Sequence, residues 1–172
     1  MSDYDPKKDI GAAIRLLSSP LEKLNSSVRH LDTQTNILIG LSSAIFAIAT
    51  SQLTRGEIIF KTPLLLLAIF SALAAITGIF AVHPPRFMRK RGQEESLFYQ
   101  KEIEGFVSPA AYAVALEKKM GDIPAITEEY AKEIWNIARY YYRPKRKLFN
   151  LARNLLLWGI VGGVVLLSLY AW

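Results

Sequence analysis

Two histidines and a few clusters of charged residues are the side chains in this sequence whose chemistry could support catalysis or metal binding. His30 and His83 belong to no metal-ligand spacing such as H-E-x-x-H, and neither has a serine and a carboxylate in a recognisable triad motif. The sequence contains no cysteine, which excludes thiolate catalysis and cysteine-bound metals. No G-x-x-x-x-G-K-[ST] loop is present either. We therefore expect no enzyme activity, no metal site and no cofactor.

One stretch, RYYYRPKRK at 139–147, combines three tyrosines with five basic residues. Such mixtures are typical of the aromatic and basic belt at the cytoplasmic face of a membrane protein, and we favour this interpretation. The alternative is a nucleotide site, in which guanidinium groups bind phosphate and a tyrosine stacks on the base. Under that alternative, the candidate ligand-binding residues are Arg86, Arg89, Arg139, Tyr141 and Arg143.

A group of polar residues directly precedes or opens the first long apolar run of the sequence: Asp32, Gln34, Thr35 and Asn36. Polar groups are costly to desolvate and therefore need partners or water at a membrane boundary. They either cap a helix in the headgroup layer or form the contact through which a cytoplasmic event reaches the membrane. For the second alternative, the candidate signal-coupling residues are Asp32, Gln34 and Asn36.

Three apolar runs decide the class of the protein. Residues 33–53, 63–82 and 154–172 each have about the length that a helix needs to cross ~30 Å of hydrocarbon. The remaining sequence shows helical periodicity and no β-like alternation. We therefore predict an all-α membrane protein with three transmembrane helices, in which the N-terminal helix and segment 83–153 form a cytoplasmic helical bundle. Residues 1–172 are expected to form a single domain.

The second run, 63–82, is rich in small residues. They are Ser71, Ala72, Ala74, Ala75 and Gly78. Small residues let membrane helices approach one another closely, so packing explains them better than lipid contact does.

The distribution of basic residues predicts the orientation. Fourteen of the 21 lysines and arginines fall in 83–153 and five in 1–33, whereas the hairpin after the first run holds only Arg55 and Lys61. Cytoplasmic segments carry such an excess, so the N-terminus and 83–153 are expected in the cytoplasm and the C-terminus outside. The same rule accounts for the net charge of +6, and we favour it over nucleic-acid binding.

The N-terminal region carries a stripe of apolar residues at alternating spacings of four and three, from Ile10 to Leu31. This pattern is typical of a helix with one packed face. Ser19 and Pro20 interrupt it, because serine can cap a helix and proline suits a first turn. We therefore expect a short helix near 9–17 and a longer one that starts at Pro20 and continues into the membrane.

Two further helices are predicted in the middle of segment 83–153. Ser108 is expected to cap the first of them. Thr127 is expected to cap the second, whose first turn would then carry Glu128 and Glu129, two carboxylates that favour the positive end of the helix dipole.

The helix predicted after Thr127 carries another stripe with spacings of four and three, from Tyr130 to Leu155. This stripe leads directly into the third apolar run. Pro144 should bend or break the helix, because its ring clashes with the carbonyl four residues back. The two striped helices are expected to pack together, within one subunit or across subunits.

Three stretches occur in order along the chain: LDTQTNILIG at the first apolar run, SLFYQKEI after the second, and EEYAKEIWNIARYYYRPKRKLFNLAR before the third. In this order and spacing they resemble the membrane effector domain of bacterial Pycsar antiphage systems, and the likeness extends from about Val28 over nearly the whole remaining chain. Gln34 departs from the family pattern, in which lysine is common at this position.

The resemblance implies a partner cyclase that makes a cyclic pyrimidine nucleotide, cCMP or cUMP, on phage infection. The effector would respond by impairing the inner membrane, so that the cell dies before phage are released, which is abortive infection. The expected partners are the lipid bilayer, the cyclic nucleotide and further copies of the chain.

Two other functions compete with this one. A structural or adaptor membrane protein that recruits a partner through its cytoplasmic helices fits the striped helices equally well. A small transporter is disfavoured, because no charge lies within the apolar runs to mark a substrate path.

Overall fold

The computed structural model describes residues 6–55, 58–85 and 96–170. Every regular element in these ranges is a helix: α1 Pro6–Arg55, α2 Ile58–Val82, α3 Gln100–Gly105, α4 Pro109–Met120, α5 Ile123–Asn136, a π-helix Ile137–Tyr142 and α6 Arg143–Tyr170. Three helical stretches are long and apolar enough to cross a membrane: Ile14–Thr54, Lys61–Val82 and Ile123–Leu169. The predicted all-α fold with three membrane helices is therefore confirmed.

The chain packs as two compact units. The first contains residues 6–28 and 96–142 of the described chain, and we call it the amphipathic unit. The second contains residues 29–85 and 143–170, and we call it the membrane unit because it carries the three apolar runs.

Glycines allow α2 and α6 of the membrane unit to pack closely. A Cβ atom at Gly159 would lie 2.6 Å from Phe70 Cβ, and one at Gly162 would lie 2.9 Å from Leu66 Cδ2. Both distances are shorter than real side chains tolerate. Gly159 faces Phe70 and Gly162 faces Leu66, so residue numbers rise along α6 while they fall along α2. The two helices therefore run antiparallel.

The interior face of α2 consists of small residues. Its buried positions are Pro63 near the start of the helix and then Ala68, Ser71, Ala74, Gly78 and Ala81. A Cβ atom at Gly78 would lie 2.7 Å from Cγ1 of Ile39, so α1 approaches α2 as closely as α6 does. The prediction that small residues of this run serve helix packing is confirmed for Ser71, Ala74 and Gly78.

The N-terminal region forms one helix, so the predicted break at Pro20 is wrong. α1 continues through this residue from Pro6 to Arg55. A proline inside a helix costs about 3 kcal/mol, because it removes one backbone hydrogen bond. The apolar stripe on both sides offsets this cost: Leu17 and Leu21 are half-buried, and the stripe ends in the buried Leu31.

The helix starts in the amphipathic unit were predicted with mixed success. Ser108 caps α4 as predicted, since its Oγ accepts a hydrogen bond from the Ala111 amide at 3.2 Å. Thr127 is not a cap, because α5 begins four residues earlier, at Ile123, with Pro124 in its first turn. The Thr127 hydroxyl instead donates to the Ile123 carbonyl at 2.9 Å inside the helix.

The helix is not broken at Pro144. A π-helix at Ile137–Tyr142 directly precedes it, and its wider turns contain the carbonyl with which the proline ring would otherwise clash. Beyond Pro144, Leu148 of the predicted stripe is buried as expected. Leu151 is exposed and Ala152 is buried in its place, because the packed face of α6 runs through residues 148, 152 and 156, which are four apart.

Candidate functional site

A buried ion pair joins α1 to α6 in the membrane unit. Lys145 Nζ lies 2.6 Å from Asp32 Oδ1 and donates a second hydrogen bond to Oδ2 at 2.9 Å. The Lys145 side chain is 2% exposed and that of Asp32 is 33% exposed. The two residues are 113 positions apart in sequence, and the carboxylate is the last charged group of α1 before its apolar run.

The packed faces of the two helices position this pair. Asp32 follows the buried Leu31, and one turn later the buried Thr35 donates its hydroxyl hydrogen to the Leu31 carbonyl at 2.7 Å. On α6, Lys145 begins a buried face that continues at Leu148. An ammonium group on this face must find a counter-charge, because burial of an unpaired charge is very costly.

Buried ion pairs add little net stability, since the desolvation of both charges offsets most of their attraction. Removal of one partner is much more costly, because it leaves the other charge buried without compensation. The Asp32–Lys145 pair therefore favours one arrangement of α1 against α6 and penalises arrangements that separate the two charges.

The other predicted signal-coupling residues lie on exposed positions of α1. The Gln34 side-chain amide donates to His30 Nε2 at 3.0 Å, one helical turn away, and both residues are exposed. Asn36 is also exposed. Of the three candidates, Asp32 is the one whose interaction connects two helices.

A second polar cluster lies in the amphipathic unit, at the turn formed by residues 96–99, which we call the Ser96 turn. Ser96 is fully buried, and its hydroxyl donates to Glu133 Oε2. The Leu97 amide donates to Glu129 Oε2 at 2.9 Å, and the other oxygen of that carboxylate lies 3.1 Å from Lys119 Nζ. Two carboxylates of α5 therefore hold this turn.

Aromatic and hydroxyl groups add to the same contact. The rings of Phe98 and Tyr130 lie 5.1 Å apart, and the Tyr112 hydroxyl of α4 donates to the Leu97 carbonyl at 3.3 Å. The stretch SLFY thus packs on the stretch EEYAKEI, two of the three stretches that carry the family resemblance. The third, LDTQTN, is joined to the same long helical run by Lys145.

The predicted ligand-binding residues occupy different parts of the chain. Arg86 and Arg89 lie outside the described residues. The Arg139 guanidinium lies 5.2 Å from the centre of the Trp135 ring, in a cation–π contact on the surface of the amphipathic unit.

The remaining two candidates are also exposed. Tyr141 lies on the π-helix and Arg143 is the first residue of α6. Arg139, Tyr141 and Arg143 are therefore surface residues of the described chain.

Three important residues were missed or misinterpreted in the sequence. Lys145 was interpreted only as part of the basic belt at 139–147. The signal that could have pointed to it is Asp32, because an isolated acidic residue at the start of an apolar run should face a cation. Glu129 was assigned to a helix dipole, but it is 5% exposed, lies in the second turn of α5 and holds the Ser96 turn. No local pattern pointed to Ser96, because its partner lies 37 residues away.

The fold and the ion pair define a class: an all-α, multi-pass membrane protein whose first and third membrane helices are joined by a buried charge pair. Residues 16–172 match the family model of the Pycsar effector protein domain, and the chain belongs to this family. It is accordingly a membrane effector of antiphage defence and not a cyclase. No match was found among curated proteins or among solved structures.

Proposed function

We propose that this protein is a ligand-gated effector that senses a cyclic nucleotide, cCMP or cUMP, made by a partner cyclase, and then impairs the inner membrane. The infected cell would die before phage are released. The observation that carries this proposal is the buried Asp32–Lys145 pair, which joins two membrane helices where the apolar runs begin. The pair favours one arrangement of α1 against α6 and penalises arrangements that separate the two charges, so these two helices are suited to act as an element with two states.

The proposed ligand-binding residues are those predicted from the sequence: Arg86, Arg89, Arg139, Tyr141 and Arg143. A cyclic nucleotide carries one phosphate charge, which arginine binds with two parallel hydrogen bonds, and a base that stacks on an aromatic ring. Arg143 precedes Lys145 by two residues on α6. A ligand bound at the exposed Arg143 therefore lies within one helical turn of the ion pair, on a different face of α6.

A ligand changes the population of two states only through its different affinity for each. We infer that the nucleotide binds more tightly to the state in which the ion pair is separated. The π-helix supports this role, because single π turns within helices are frequent at functional sites. It also contains the candidate residues Arg139 and Tyr141 and directly precedes α6, which carries Lys145.

The proposed location is the inner membrane, with the N-terminus and segment 83–153 in the cytoplasm and the C-terminus outside. This orientation rests on the distribution of basic residues and places the candidate arginines where a cyclase releases its product. Assembly into a homo-oligomer is part of the proposal, since the striped helices are suited to pack across subunits as well as within one.

The experiment is dye leakage from liposomes that contain the purified full-length protein, with and without a panel of cyclic mononucleotides. We expect one nucleotide to trigger leakage, and Arg139→Ala to abolish it. Arg15→Ala is the matched control, because Arg15 is an exposed arginine of α1 outside the candidate set. Absence of leakage with every nucleotide, from correctly inserted protein, would contradict the proposal.

An adaptor function is the second candidate, and exposed apolar residues of the amphipathic unit favour it. Val107 is fully exposed, and Val114 and Met120 of α4 are more than half exposed. Where such residues form one contiguous patch, they are typical of protein-binding surfaces. An assembly that is unchanged by nucleotides but co-purifies with one protein, and loses it in Val114→Asp, would support the adaptor.

A further inference from the structure

Two hydroxyl groups in the interior of the membrane unit have no hydrogen-bond partner among the described residues. They belong to Ser42 of α1 and Ser71 of α2, and both residues are 0% exposed. Other hydroxyls of this unit donate to a carbonyl four residues back: Thr35 to Leu31, Thr50 to Phe46, Thr77 to Leu73 and Ser168 to Val164. The two interior serines therefore depart from the local arrangement that a serine can adopt in any helix.

The depth of these serines makes their lack of partners costly. Ser42 lies near the middle of the predicted run 33–53, and Ser71 near the middle of 63–82. Water is absent from the hydrocarbon core, so an unpaired hydroxyl at this depth has no compensating hydrogen bond. The small size of serine serves helix packing, but packing alone does not require a hydroxyl, and polar groups at this depth are typical of water-filled paths.

The interior has a layered order along α1. The charge pair lies at Asp32, and Ser42 lies about 15 Å further along the helix. Between them is an apolar cluster formed by Leu38, Ala74, Ala152 and Leu156. An apolar constriction of this kind keeps water out of an otherwise polar path.

Small side chains make this interior easy to widen. Beyond Pro63, the buried positions of α2 are alanines, Ser71 and Gly78, whereas the larger Leu66 and Phe70 pack against the glycines of α6. Leu38 and Leu156 are the large buried residues of the cluster, and Ile45, Phe149 and Leu155 pack against it. All five come from α1 and α6, the two helices that the ion pair joins. Separation of these helices moves the large residues apart and leaves the small residues and hydroxyls along the path.

We propose that the interior of the membrane unit is a leak path for water and small ions, closed at rest by Leu38 and Leu156 and lined in the active state by Ser42 and Ser71. The hydroxyls then bind water, the ligand that they lack in the closed state. This inference rests on the proposed impairment of the membrane and identifies where the impairment takes place.

The first test requires no nucleotide. Full-length Ser42→Asp is placed in potassium-loaded liposomes, and potassium efflux is compared with that of Ser43→Asp. Ser43 is the neighbouring residue and is exposed on the surface of the unit, so it is a matched control. A carboxylate on the path favours its hydrated state, and we expect efflux at least about tenfold faster from Ser42→Asp than from Ser43→Asp. Equal efflux from equally inserted proteins overturns the path.

The second test covers the case in which Ser42→Asp does not fold. The chain has no native cysteine, so Ser42→Cys, Ser71→Cys and Ser43→Cys each introduce a single thiol with little change in size. A membrane-impermeant thiol reagent should modify the first two only in the presence of cCMP or cUMP. It should modify Ser43→Cys in neither state, because a thiol in lipid forms no thiolate.

The outcomes separate the two proposals. Nucleotide-triggered leakage with Ser42→Cys unmodified in the leaking state overturns the path and leaves the proposed function in place. Absence of leakage with either nucleotide overturns the proposed function, and the comparison of Ser42→Asp with Ser43→Asp then decides the path alone.

Discussion

The Asp32–Lys145 pair offers the most direct test of the structure. The perturbation is a double-mutant cycle made of Asp32→Asn, Lys145→Met and the double variant. Both substitutions retain the approximate shape of the side chain and remove its charge. If the pair is formed as described, each single variant leaves one charge in the interior without its partner, and the double variant leaves neither.

The magnitudes follow from the burial of the two groups. Breaking a fully buried pair costs about 3–5 kcal/mol. Lys145 is 2% exposed, so Asp32→Asn leaves a buried ammonium, and we expect a loss at the lower end of this range, about 3 kcal/mol. Asp32 is 33% exposed and is partly solvated when its partner is lost, so we expect about 2 kcal/mol for Lys145→Met.

The double variant should cost less than the sum of the single variants. We expect a coupling energy of about 1–3 kcal/mol, since the interaction is removed only once and no buried charge is left behind. The assay is unfolding of the detergent-solubilised protein by denaturant, monitored by circular dichroism. A double variant whose loss equals the sum of the two single losses would refute the pair.

The same variants test whether the Asp32–Lys145 pair controls the permeability of the membrane. Each single variant removes the penalty for separating α1 from α6, so liposomes that contain it should leak dye without a nucleotide. The double variant should do the same, because it also lacks the pair. If liposomes that contain any of the three variants retain dye as well as those with the wild-type protein, the pair is structural and does not control the permeability of the membrane.

Three further predictions concern other parts of the molecule. Gly159→Ala should lower the free energy of unfolding by about 1–3 kcal/mol, because the added Cβ would lie 2.6 Å from Phe70 Cβ. Gly40 has open space around it, so Gly40→Ala should leave the thermal midpoint unchanged or raise it. Glu129→Ala should cost about 1–3 kcal/mol and lose hydrogen-exchange protection at Leu97, while the exposed neighbour Glu128→Ala should retain that protection. A hydrogen bond from Lys132 and its charge hold the pKa of Glu128 below the usual 4.5. Glu128 therefore adds stability above pH 4.5 that is lost as pH falls through its lowered pKa, and the small difference between wild type and Glu128→Gln should disappear in acid. A difference that grows in acid would contradict this assignment.

The three stretches that resemble the Pycsar family acquire a physical explanation in the structure. SLFY packs on EEYAKEI through Ser96, Leu97 and Phe98, and LDTQTN is joined to RPKRK through Asp32 and Lys145. These contacts explain why the three stretches occur together, because each stretch supplies one side of a polar or aromatic interaction with another.

The class of the protein was determined by the sequence itself. A run of about 20 apolar residues without a charge is a local property, and only a helix satisfies all of its backbone groups within the segment. The three runs, the Ser108 cap and the packing role of Ser71, Ala74 and Gly78 could therefore be predicted. Family membership could be recognised for the same reason, since its motifs are contiguous stretches.

The tertiary structure decided which residues face one another. On α6 the buried residues are Lys145, Leu148, Ala152 and Leu156, whereas the repeat predicted Leu151 and Leu155 after Leu148. The packing of the helices also buries Ser42 and Ser71. It brings Lys145 to Asp32, which lies 113 residues away in the sequence. Periodicity describes a stripe on one helix, but the direction in which that stripe points depends on every turn before it and on the helices against which it packs.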